Sequence, residues 1–168
     1  MNPPEEYYIE GTPYVPGSAL PVLVWRGALA HCETEDDMKD ALEANGGWVK
    51  GIAAGSSELS LGRGPLDNAS LGKLITVNRG DCMAIPAGIS HCSSTATIDY
   101  RYVVLFPKGE PKWISIWCDD ATTTEAYKKA CLRVPMPVID PLGGSEGFLV
   151  TKWKEIANHN YAKTTIRP

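Results

Sequence analysis

The sequence predicts an all-β domain, a sandwich or small barrel, with one or two short helices at its periphery. Three observations carry this. From Trp48 to Trp117 the chain breaks into short apolar stretches: WVKGIA, SELSL, KLITV, CMAIP, SHCSST, IDYRYVVLF and KWISIW. Turn-forming segments (AGS, GRGPLDN, NRGD, PAG and PKGEP) separate them, which is the punctuation of antiparallel sheets. No amphipathic helix falls between the strands, which excludes a parallel α/β sheet.

Taken in order, residues 1–19 are rich in Pro, Gly and Tyr and predict an extended arm. PVLVW (21–25), an apolar run between Pro and Arg-Gly, is the first strand. Thr34 followed by Glu35, Asp36 and Asp37 predicts a helix start, because acids in the first turn complement the helix dipole. Met38, Ala41 and Leu42 supply its apolar face, and Asn45-Gly46-Gly47 ends it. After the strands, Thr122-Thr123-Thr124-Glu125 opens a second helix with Ala126, Tyr127, Ala130 and Cys131 as its stripe. VPMPVIDPLGG is extended and pinned by prolines, and FLVTKWKEIA fits a final strand or a helix. A polar tail over 162–168 closes the chain, leaving 20–161 as a single domain.

The chain's 168 residues are long enough for one substantial core. With 43% apolar and 21% charged residues, a net charge of −4 and scattered basic positions, it carries no electrostatic footprint for nucleic acid or anionic membrane. No apolar run approaches a membrane span. The acidic, polar start MNPPEEYYIEG is unlike a targeting peptide, so a cytoplasmic setting is expected. Five cysteines without CxxC spacing argue against a disulfide framework or a zinc knuckle and read as small hydrophobes.

One stretch is more specific. In GDCMAIPAGISHC (80–92), Gly80, Pro86, Gly88 and His91 match the second cupin motif, G-x5-P-x-G-x2-H-x3-N, with Thr95 at the Asn position. LPVLVWRGAL, ANGGW, AAGSSELSLG, the FP after YRYVVL and VPMPVIDPLGGSEGFLVTKW occur in the order seen in small single-domain cupins, so most of 19–153 resembles that family. The resemblance implies a cupin-type β-barrel or jelly roll, a double-stranded β-helix. It also implies that His91 points into the barrel, and that the chain pairs as a homodimer through an edge strand or the N-terminal arm.

The first cupin motif, whose histidines and glutamate complete the usual metal site, has no counterpart. ANGGW runs almost directly into VKGIAAG, and counting back from Gly55 puts Trp48 at the glutamate position. A transition-metal site needs three or four converging ligands. His91 is the one ligand the motif supplies, and Cys82, Cys92, Asp99 and Glu58 lack cupin spacing. No metal and no cofactor are expected.

If alternation holds from Trp48, then Trp48, Lys50 and Ile52 share the inward face. A lysine buried there would have a lowered pKa suited to acid–base or amine chemistry, although a one-residue slip would turn it outward. His91 could move a proton on a bound substrate near neutral pH, or be a former ligand now held by core hydrogen bonds. On IDYRYVVLF, either Tyr100 and Tyr102 or Arg101 face inward, and the sequence does not choose between them. Trp113 and Trp117, four apart, share a strand face by parity and read as core, pocket lining or dimer contact. The expected catalytic residues are thus His91 and Lys50, with Trp48, Tyr100, Tyr102, Arg101 and Trp113 binding a small-molecule substrate.

Three functions follow from this reading. One is a metal-independent enzyme performing dehydration, isomerisation, cyclisation or decarboxylation, such as a natural-product tailoring step. The others are a metal-dependent oxygenase with atypical ligands and a non-catalytic binding cupin.

Overall fold

A computed structural model describes residues 2–54, 58–95, 102–109 and 114–165, with the side chains of 49–54 and 160–165 outside the described part. Among the described residues the elements run β1 (Glu5–Tyr7), β2 (Val22–Trp25), α1 (Glu35–Glu43), β3 (Trp48–Ala54), β4 (Glu58–Leu61) and β5 (Lys73–Thr76). They continue with β6 (Cys82–Ala84), β7 (His91–Thr95), β8 (Tyr102–Pro107), α2 (Thr124–Cys131) and α3 (Phe148–Thr165).

All strand pairs are antiparallel and fall into three small sheets, β1-β2-β6, β3-β8 and β5-β4-β7. The fold is therefore sheet-rich, as expected, but no barrel closes among the described residues. Its topology is nested: the β3·β8 pair encloses the β4·β7 pair, so the chain crosses between two sheets after β3 and returns after β7.

The strand VLVW explains the layering. All four residues are buried, as a strand covered on both faces demands. Val22 and Val24 face the β5-β4-β7 sheet and pack with Ile9, Leu61, Ile75 and Ile89. Leu23 and Trp25 face the other way and pack with Leu149, Val150 and Trp153 of α3. The second cluster corrects the sequence reading: beyond two short peripheral helices there is a third, 18-residue helix that forms a layer of its own. It extends to Thr165 and so crosses the expected start of the tail. No helix of the described residues is long and apolar enough to cross a membrane.

The N-terminal residues are an arm only in part. β1 pairs with β2 of the same chain, Ile9 and Val15 enter the core, and Arg26 clasps the arm through a bidentate pair with Glu5. At α1 the expected start holds: Thr34 Oγ1 accepts the Asp37 N–H and Asp37 Oδ2 accepts the Thr34 N–H, a reciprocal cap.

Within KWISIW, Lys112 and Trp113 lie outside the described residues, and 114–117 form no strand. Ile114 and Trp117 are exposed, so the core reading of Trp117 is wrong. Packing here is set by backbone rather than by apolar alternation, since the Cys118 carbonyl closes on Gly64, where no side chain would fit.

Candidate functional site

The turn that delivers His91 is built as its residues suggest. The Pro86 carbonyl accepts the Ile89 N–H at 3.3 Å, and Gly88 between them has φ +94, the left-handed third position of a type II turn. A side chain at Gly88 would strike the Gly17 carbonyl. Gly80 has φ +83 and meets Ala30, so a Cβ there would lie 2.7 Å from backbone. Both motif glycines are thus required by close approach as well as by conformation.

His91 opens β7 directly opposite Leu61. Opposed residues of an antiparallel pair share a face, and Leu61 is fully buried beneath β2. His91 therefore lies on the same face of its sheet as Leu61, yet it is exposed, as are all five residues of β7. Neighbouring Cys92, opposite Ser60, takes the outer face. Within the described residues the His91 side chain has no hydrogen-bond partner.

The other expected site residues lie on the β3·β8 sheet or outside the described residues. Trp48 is half-buried and donates its indole N–H to the Ile139 carbonyl at 2.7 Å, which ties β3 to the proline-rich segment. Lys50 pairs with Leu105, and its side chain lies outside the described part. Alternation is regular from Trp48 to Lys50 but breaks between Lys50 and Ala53, where three steps on β3 oppose two on β8. Ile52, expected to continue one inward row with Trp48 and Lys50, lies within this bulge, and its side chain is outside the described part. Tyr102 is half-buried opposite Ala54. Tyr100, Arg101 and Trp113 lie outside the described residues. No hydrogen bond joins any two of Trp48, Tyr102 and His91.

Of the auxiliary ligands weighed, Cys82 lies in a setting that disfavours the thiolate. Burial, reinforced by the negative charges of Asp140 and Asp81, pushes its thiol up to about 12. It sits in β6 opposite Trp25, on a different sheet from His91. Glu58 accepts the Thr95 hydroxyl at 2.9 Å, and Asp99 lies outside the described residues. Among the described residues no three His, Cys, Asp or Glu side chains converge.

Two polar assemblies escaped the sequence reading. Asp81 Oδ1 accepts the Gly27 N–H, and its Oδ2 accepts both the Asn78 N–H and Arg26. The only hint was acid and base in RGD and WRG, and spacing could not pair them. Asp140 lies in the D-P-L-G-G turn, and its far-reaching partner, the Leu149 N–H, could be found only in three dimensions. Comparison with known proteins adds no neighbour: no family model, curated protein or solved structure matches the chain.

Proposed function

We propose that the chain is a metal-independent, cupin-type enzyme that transforms a small organic molecule by acid–base or shape-driven chemistry, with His91 as its proton-transfer group. The observation that carries this reading is the position of His91, on the same face of its sheet as buried Leu61 and yet open to solvent. A histidine so placed can exchange protons with a bound molecule near neutral pH. The nested β3·β8 and β4·β7 pairs support the jelly-roll reading, and the Gly80, Pro86 and Gly88 geometry supports the motif.

Trp48 supports the metal-independent form, because the position of the motif's carboxylate holds an indole committed to Ile139. Lys50, Tyr102 and the residues at 100, 101 and 113 complete the proposed pocket, in a homodimer within the cytoplasm. Dehydration, isomerisation, cyclisation and decarboxylation are the reactions within reach of these groups.

A second reading, a non-catalytic ligand-binding cupin, draws on one observation. No described residue orients the His91 ring, whereas a general base is ordinarily held by a partner. Mass spectrometry of a metabolite extract incubated with the chelated protein separates the readings. The enzyme depletes a compound and accumulates an isomer, a dehydrated or a decarboxylated product, and His91→Ala slows this by about 10²–10⁴-fold. Turnover unchanged in His91→Ala would remove His91 from the chemistry. Activity lost on chelation and restored by a metal would establish the metal-dependent alternative.

A further inference from the structure

A concavity whose lining does not include His91 lies where the arm, residues 115–120 and the start of α2 meet. It is a cleft of about 280 Å³ whose walls include Tyr14, Trp117, Asp119, Asp120, Thr123 and Tyr127. The frame is fixed by backbone. Thr124 Oγ1 donates to the Pro13 carbonyl at 2.8 Å, fastening α2 to the arm, and Gly64 fits against the Cys118 carbonyl and Tyr14 Cβ.

Two features of this cleft lack a structural purpose. Trp117 is 87% exposed, leaving one of the largest apolar side chains in water. Asp119 has neither a hydrogen bond nor an ion pair among the described residues. Asp120, in contrast, spends Oδ1 on the Thr122 N–H and hydroxyl, which sets the turn before α2.

We propose that this cleft binds a small organic ammonium ion, held by the Trp117, Tyr14 and Tyr127 rings and the Asp119 carboxylate. Aromatic faces present negative potential, and cations with methylated, weakly hydrated surfaces exploit it best. Among the described residues two carboxylates line the cleft, and no lining side chain is cationic. The N-terminus of α2 contributes an opposing partial charge of about +0.5, too small to reverse the sign of two full negative charges. The volume suits a headgroup the size of choline rather than a polymer.

The test uses the full chain with choline and its uncharged isostere 3,3-dimethylbutan-1-ol, following the assigned Trp117 indole N–H by NMR titration. Choline shifts this signal saturably, and the isostere, lacking the charge, binds at least about fivefold more weakly. Trp117→Ala, an exposed and therefore fold-tolerant change, is followed through backbone amides of 119–123 and loses the response. Asp119→Asn weakens choline about fivefold. Equal binding of choline and the isostere would identify a site for neutral molecules and overturn the proposal. It is equally overturned if choline leaves the Trp117 signal unmoved, or if Asp119→Asn binds as tightly as the parent.

Discussion

Asp140 is 1% exposed and accepts three backbone N–H groups, those of Leu142 and Gly143 on Oδ1 and that of Leu149 on Oδ2. It closes its own turn and supplies a partner to the first turn of α3, whose N–H groups have none within the helix. An amide cannot reproduce this pattern, because whichever way it turns, one –NH₂ meets a donor. Asp140→Asn therefore costs about 1–3 kcal/mol, read as a lowered urea midpoint at unchanged slope. An unchanged midpoint would mean that water already serves those groups.

The same scale shows what a sequence can disclose. Gly80, Pro86 and Gly88 are legible because left-handed turns and close approach select a residue type at a fixed spacing. Asp140 and Asp81 are not, since their partners lie in other segments and any of several acids would read alike.

Among the elements, α3 carries the greatest difference between expectation and structure. Leu149, Val150 and Trp153 lock onto Leu23 and Trp25, and the Trp153 indole N–H reaches the Pro21 carbonyl at 3.1 Å. The helical signal was present, with Leu149, Val150, Trp153, Ile156 and Ala157 three or four apart. A short apolar start with β-branched and aromatic residues mimics a strand, and only the length of the run decides between them. Trp153→Ala removes a ring that is 6% exposed together with its hydrogen bond, and should cost about 3–5 kcal/mol in chemical denaturation. A loss under 1 kcal/mol would show that α3 packs loosely. The β3 bulge is the converse case. Gly51-Ile52 gives no sequence sign of where the ladder shifts, so simple parity does not carry the register past Lys50.

For the whole molecule, the clasp between the arm and the body contributes to stability against acid. The Arg26 hydrogen bonds hold the Glu5 carboxyl below its ordinary value. Burial opposes ionisation of Asp81, but the Asn78 and Gly27 N–H groups and Arg26 outweigh it. Glu6, bonded to Lys152 of α3 at 2.9 Å, is lowered as well. Carboxyls that ionise more readily in the folded chain bind fewer protons there. Their stabilisation is complete above the ordinary values of 3.8 and 4.5 and fades as pH falls through the lower folded ones.

Urea midpoints should therefore fall below about pH 4, and Arg26→Met should flatten that limb. An acid limb identical in the variant would place the sensitivity elsewhere. At this scale the sheet-rich class and the positions of β2 to β8 were legible from apolar runs and turns. The stacking of sheet, sheet and helix was not, because VLVW is apolar at every position and cannot say what covers each face.

The arm's attachment also bears on assembly. Every hydrogen bond between β1 and β2 and the whole Arg26 clasp are made within one chain, and a second copy could offer the same groups in the same geometry. A form with exchanged arms would compete with the closed one for one set of contacts, differing mainly in the segment between Tyr8 and Val15 and in the entropy of joining two chains. Concentration would then choose between them, and acid below about pH 4, by loosening the clasp, would speed the exchange.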